Sequence, residues 1–192
     1  MKDKYEKLYD YLQRKTQLEK DVFLNYCHYF KPKTLKRNEI LLHQNTVCTF
    51  NIFVNKGCLR FYSHSEEGKE LTRYFAFENK FGTSLTSLIS QAPSNENIQA
   101  IEKSEVLIIS RNDFYHLVKT IPEINFAYRD ILEMAYITTT KRIYNFQGES
   151  ALDRLRWLMR NQPLILTRLS NKMVASYLGI TPYTLSRLKT EL

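Results

Sequence analysis

The tract Ser170-Asn-Lys-Met-Val-Ala-Ser-Tyr-Leu-Gly-Ile-Thr-Pro-Tyr-Thr-Leu-Ser-Arg-Leu-Lys189 constrains this chain more than any other stretch. Ser170 suits an N-cap, where its hydroxyl accepts an N–H that the first helical turn cannot satisfy internally. Val174, Ala175 and Leu178 then share one face, and Ala175 is small where a second helix must come close. Gly179 suits the position after the helix, which favours a residue at ease with positive φ, and Ile180 fills the turn. Thr181 caps a second helix whose first position is Pro182, where the missing N–H costs nothing. Leu185 and Leu188 fall on the side that packs back on the first helix. The spacing predicts a helix-turn-helix over 169–189, with Tyr183, Thr184, Ser186, Arg187 and Lys189 pointing outward.

Such a pair presents the N-terminal half of its second helix to a DNA major groove. Arg187 is the best candidate for a two-pronged contact to guanine. Ser170, Thr181 and nearby backbone N–H groups suit phosphates, which set register more than sequence. Tyr183 and Thr184 suit thymine methyls or hydroxyl hydrogen bonds. The full candidate DNA-contacting set is Ser170, Asn171, Thr181, Tyr183, Thr184, Ser186, Arg187 and Lys189. Charge points the same way. Residues 141–192 hold nine Lys/Arg against three acids, a net +6 out of +8 for the whole chain. A basic segment of this kind favours a polyanionic partner.

The rest of the chain reads as two further kinds of structure. Residues 3–30 are helical, with Tyr5, Leu8, Tyr9 and Leu12 at spacings of three and four and a second short helix over 21–29. Over 34–110, the runs 40–42, 51–54, 58–62, 70–77 and 105–109 are rich in β-branched and aromatic residues. Turn signals at 55–57, 65–69 and 92–95 separate them, a pattern of short strands that fits a β-sandwich or small barrel. After Pro122, a long helix over 123–146 carries two apolar seams: Ile124, Tyr128, Ile131, Ala135, Thr138, and Leu132, Tyr136, Thr139, Ile143, Phe146. Both step at the 3.5-residue spacing of a coiled coil. Two seams suit two partners, the helix's own β-domain and a second copy of the chain. Leu152, Leu155, Trp157 and Leu158 mark one more helix before the motif.

Several classes of function are disfavoured. No apolar run approaches the ~20 residues needed to cross a bilayer, so no membrane association is expected. The N-terminus has no apolar signal segment, and a cytoplasmic chain is expected. Cys27, Cys48 and Cys58 form no CxxC pair, and neither they nor the four histidines have metal-ligand spacing. For an enzyme the chain lacks a Gly-x-Ser-x-Gly elbow, a glycine-rich phosphate loop and a His/Glu metal cluster. Glu66 and Glu67 lie in a turn with Gly68, where solvated charge is the simpler account. The competing reading is a small-molecule sensor or binding module whose helical tail contacts a protein. Salt dependence separates the two, because DNA binding weakens steeply with added salt.

The order of β-barrel, long helix and C-terminal helix-turn-helix resembles the Crp/Fnr family of bacterial transcription factors. The likeness is carried by Phe53-Val-Asn-Lys-Gly-Cys-Leu-Arg-Phe61, Glu67-Gly-Lys-Glu70, Pro93-Ser-Asn-Glu-Asn-Ile-Gln-Ala-Ile-Glu102 and Ala175-Ser-Tyr-Leu-Gly-Ile-Thr-Pro-Tyr-Thr-Leu-Ser-Arg187, most like its Bacteroidetes-type members. It implies an α+β protein: a double-stranded β-helix (jelly-roll) sensor domain over 1–121, a dimerisation helix over 122–147 and a DNA-binding domain over 148–192. It implies a homodimer on double-stranded DNA with two-fold symmetric sites, and it admits RNA polymerase and an unidentified small-molecule effector as further partners. By this resemblance the guanine-reading arginine falls on Arg187 and phosphate-contacting positions on Thr181 and Thr184. Positions that often carry Arg and Glu in the family are Pro182 and Tyr183 here, so a different operator preference is expected.

The sensor region departs further. Family members that bind cyclic nucleotides use a Gly-Glu stretch, then an Arg-Ser pair, to hold the ribose and the cyclic phosphate. Here the first stretch is Phe81-Gly82-Thr83-Ser84, the second falls near Ser94-Asn95, and no arginine lies between Arg73 and Arg111. The candidate effector pocket is therefore Gly82, Thr83, Ser84, Ser94 and Asn95. A buried phosphate there would lack a cation, so no cyclic-nucleotide binding and no cofactor are expected. The N-terminal cysteine cluster of the oxygen-sensing branch is absent, and none of His28, His43, His64 or His116 stands out as a haem ligand. Because the sequence stops at Leu192, a wing after the recognition helix is not expected. The stretch 162–168 is short for a strand pair before it, so the expectation is a reduced winged helix.

Overall fold

The computed structural model describes residues 3–191. In chain order the helices and strands are α1 (Glu6–Thr16), α2 (Lys20–Tyr26), β1 (Lys31–Leu35), β2 (Ile40–Leu42), β3 (Phe50–Lys56), β4 (Leu59–His64), β5 (Glu70–Ala76), β6 (Phe81–Gly82), α3 (Leu85–Ser90), β7 (Asn97–Ala100), β8 (Ser104–Ser110), α4 (Arg111–Thr120), α5 (Pro122–Gly148), α6 (Ala151–Asn161), α7 (Ile165–Arg168), α8 (Asn171–Leu178) and α9 (Pro182–Lys189). Two compact units result. The first joins the described residues up to Ser63 with Tyr74–Leu132; the second joins His64–Arg73 with the described residues from Glu133 on. The division falls inside α5 and inside the β4–β5 hairpin.

In the first unit the strands form two four-stranded sheets, β1-β8-β3-β6 and β2-β7-β4-β5, with antiparallel pairing along β1–β8, β3–β8, β3–β6, β2–β7 and β4–β7. This is a β-sandwich in which successive strands largely alternate between sheets. Side-chain alternation explains its layering. On β3, Ile52 and Val54 enter the core with Leu59, Phe61, Ile98 and Ala100 of the other sheet. Phe53, between them, turns to the opposite face and joins Leu8, Leu12, Phe23, Leu117 and Ile124 from the helices. The first sheet is thus apolar on both sides, and β3 reads as a nearly continuous buried run. Helices α1, α2, α4 and the start of α5 cover it.

Strand β1 was not evident from its residues. Lys31, Pro32, Lys33 and Thr34 are exposed and only Leu35 is buried, so it lies at a sheet edge where proline and lysine are tolerated. Helix α4 begins at a serine cap, Ser110, whose hydroxyl accepts from Asp113 N–H at 3.1 Å.

The second unit is helical apart from the hairpin tip. Among the described residues no strand follows Ser110, and the stretch 162–168, short for a strand pair, contains the one-turn helix α7. Leu155, Leu158, Ile165, Val174, Ala175, Leu178, Leu185 and Leu188 are buried and make its apolar centre. Each fully buried aliphatic side chain of this size contributes roughly 1.5–3 kcal/mol.

Candidate functional site

The helix pair α8–α9 is built by the local chemistry of its ends. Ser170 accepts from Met173 N–H at 3.3 Å. At the other end Gly179 takes φ +67°. Its N–H points at the Ala175 and Ser176 carbonyls, and Ile180 N–H reaches Ala175 O at 3.0 Å. That is a Schellman closure, which satisfies carbonyls the helix leaves open. A side chain at Gly179 would also collide with Phe146, whose ring edge lies 2.8 Å from the place a Cβ would occupy. Two residues on, Thr181 accepts from Thr184 N–H at 3.0 Å, and Pro182 starts α9.

These contacts sort the sequence-derived candidates. Ser170, Asn171, Thr181, Tyr183, Ser186 and Arg187 are exposed, and Thr184 and Lys189 are half-buried. Tyr183 is wide open to solvent, at 77%. The hydroxyls of Thr181 and Thr184 lie 2.8 Å apart and bond to each other. Lys189 donates to Asn171 Oδ1 at 2.6 Å, which ties the end of α9 to the start of α8. Tyr183, Ser186 and Arg187 therefore remain the outward side chains of α9, while Thr181, Thr184, Asn171 and Lys189 also serve the pair's own geometry.

Two residues of this unit escaped sequence reasoning. Arg142, on α5, donates to the carbonyls of Arg73 and Tyr177 and lies 4.2 Å from the Tyr177 ring centroid. Burial holds its guanidinium below the usual arginine range. Burial likewise pushes the Tyr177 hydroxyl up, and the Arg142 charge partly offsets it. Ser176, on α8, bonds to residues of β5. A serine in a helix interior is a weak signal, and its partners lie more than a hundred positions away.

In the first unit the five effector-pocket candidates only partly converge. Ser84 and Ser94 are buried with their oxygens 2.9 Å apart. Thr83 donates to Phe50 O at 2.8 Å and sits 3.4 Å from Cys48 Sγ. Gly82 is pressed against Phe61, and a Cβ there would come within 2.5 Å of the ring. Asn95 is exposed. The hydroxyls are thus spent on the protein itself, and the Phe61 ring, packed on Tyr74 at 5.5 Å, occupies the space beside β6. Arg60, almost fully buried on β4, alternates with Leu59 and Phe61 and so faces away from the sandwich interior, 4.4 Å from the centroid of Tyr62. Sequence reading had not singled it out. Cys27, Cys48 and Cys58 are buried and unlinked. No described helix is long and apolar enough to cross a membrane.

Residues 32–120 match the cyclic nucleotide-binding domain family. The chain as a whole has the fold of the Crp/Fnr family transcriptional regulators. A putative regulator of that family from Eubacterium rectale superposes with a TM-score of 0.72 at 17% identity, covering 95% of this chain and 87% of its own. FixK2 of Bradyrhizobium japonicum gives 0.73 at 14% identity, over 85% of this chain and 84% of its own. The catabolite activator protein of Thermus thermophilus gives 0.61 at 18% identity, over 95% and 86%. At such identities the likeness is one of fold. No curated protein matches at the level of sequence.

Proposed function

We propose that the chain is a sequence-specific DNA-binding transcription regulator that acts as a homodimer and does not answer to cyclic nucleotides. The observation that carries this reading is the α8–α9 pair, capped at three points, with Tyr183, Ser186 and Arg187 turned to solvent on a basic segment. In this reading α9 is the recognition helix: Arg187 reads a guanine, Tyr183 and Ser186 contact neighbouring bases, and Ser170, Asn171, Thr181, Thr184 and Lys189 set register on the backbone. The pair works as a helix-turn-helix without a described wing.

Dimerisation through α5 is supported by what that helix leaves uncovered. Met134, Tyr136, Ile137, Ile143 and Tyr144 are all exposed, and Tyr136 and Ile143 belong to the second seam. An apolar row of this length on a basic, water-facing chain suits the same row of a second copy. The absence of cyclic-nucleotide binding is supported by the hydroxyl contacts around Ser84 and Ser94 and by Phe61 against Gly82.

Selection of bound duplexes from random DNA tests the core of the proposal. The expected outcome is an enriched two-fold symmetric sequence whose affinity falls steeply with salt. If no duplex binds even at low salt, the regulator reading fails. Sedimentation at micromolar concentration should give a dimer, and titration with cyclic AMP should give no heat.

A further inference from the structure

Within the second unit, the Ser176 hydroxyl uses its full bonding capacity on one stretch of β5. It accepts from Thr72 N–H at 2.9 Å, accepts from the Thr72 hydroxyl at 3.0 Å, and donates to the Glu70 carbonyl at 2.5 Å. One donated and two accepted bonds saturate a hydroxyl. Contacts on either side reinforce this one. Lys172 pairs with the Glu70 carboxylate at 3.8 Å, and Arg142 bridges the carbonyls of Arg73 and Tyr177. Residues 70–73 thus hold α8 by its middle. From α8 the constraint passes to α9 through the Gly179 closure, the buried pair Leu185 and Leu188, and the Lys189–Asn171 bond.

Building on the DNA-binding reading above, we infer that Ser176 is a positioning residue for base readout. Its bonds to β5 fix α8, and with it the attitude of Tyr183, Ser186 and Arg187. The physical distinction is one of tolerance. A hydrogen bond to a base edge weakens steeply with a few tenths of an ångström or some tens of degrees. Attraction to phosphates depends on charge at longer range and barely changes with such shifts. Loosening α8 therefore degrades discrimination before it degrades binding.

The substitution Ser176→Ala tests this, because alanine is the better helix former and does not weaken α8 itself. Binding to the selected operator should fall about tenfold, the scale of losing one well-placed hydrogen-bonding group, while binding to random DNA stays within about twofold. Ser176→Thr, which keeps the hydroxyl, should restore most of the loss. The second variant, Thr72→Val, removes one of the three bonds and should produce a smaller loss that does not add to that of Ser176→Ala. Equal losses on operator and random DNA, or no loss on either, overturn the inference. Amide hydrogen exchange separates its failure from that of the DNA-binding reading: Thr72 N–H should exchange faster in Ser176→Ala whether or not DNA binds. An unchanged Thr72 rate refutes the clamp, whereas a wild-type chain that ignores all DNA refutes the regulator reading.

Discussion

Around 82–95, Thr83 donates to the Phe50 carbonyl and Ser84 meets Ser94 at 2.9 Å, all inside the sandwich. Around 170–184, Ser170 and Thr181 accept from the amides of Met173 and Thr184, at the surface. Both regions are rich in small hydroxyl residues, and both use them on the chain's own groups. The difference lies in what the hydroxyls leave behind. In the sandwich they are spent next to Gly82, against which the Phe61 ring is packed. On the helix pair they satisfy backbone ends, so the long side chains of α9 are free to meet a partner. Hydroxyl content alone is silent about function; the geometry of the partners decides it.

That contrast can be broken in four ways. Leu185→Ala removes a fully buried side chain at the centre of the second unit. It should cost about 3 kcal/mol, read from unfolding followed by the fluorescence of Trp157, the chain's single tryptophan, on α6. A cost under about 1 kcal/mol would mean that the helix pair is not packed as described. Arg187→Ala should leave that unfolding curve in place and cost about 2 kcal/mol on the operator alone. Equal loss on random DNA would turn Arg187 into a phosphate contact.

Gly82→Ala sharpens the other half. Its Cβ would meet the buried Phe61 ring, so overpacking should destabilise the first unit by about 1.5 kcal/mol, seen in near-ultraviolet circular dichroism of the tyrosines. A neutral outcome would show room beside β6 and reopen the effector pocket. Smallest is Ser94→Ala, expected at about 1 kcal/mol for the bonds lost at Ser84 and the Glu96 carbonyl, with operator affinity unchanged. If affinity falls instead, the sandwich and the helix pair are coupled through that serine.

Much of the helix pair was legible because its determinants are local. Ser170, Gly179, Thr181 and Pro182 each act within four positions of their own place in the chain, and each is found where its spacing predicts. Strands β2 and β5 were nearly as plain, β3 and β8 extend one or two residues beyond each end of their apolar runs, and β4 starts one residue later and ends two later than its run. Strands β1 and β7 were missed for a physical reason. Lys31-Pro-Lys-Thr-Leu35 is an edge that needs no alternation, and Asn97-Ile-Gln-Ala100 carries two amides, one of which is buried because Asn97 serves Gln44 N–H at 3.0 Å. Strand β6 is two residues long and helix α4 follows β8 without a break, so neither offered a window for periodicity. The Ser176 and Arg142 contacts depend on residues brought together from distant parts of the chain, and no local pattern announces them.

The bond between Ser176 and Thr72 joins positions 104 apart. On a ribosome the chain emerges from its N-terminus, so the tip of the β4–β5 hairpin is made long before the helix that will hold it. Most of the sandwich has its partners as soon as β8 is synthesised. The stretch 64–73 must wait for its bonds to α8 until that helix is released. Release of α8 lets a loop of more than a hundred residues close within the second unit. A chain cut short before residue 176 would leave the stretch 64–73 without the helix that holds it, a natural mark of incomplete translation for a protease to find.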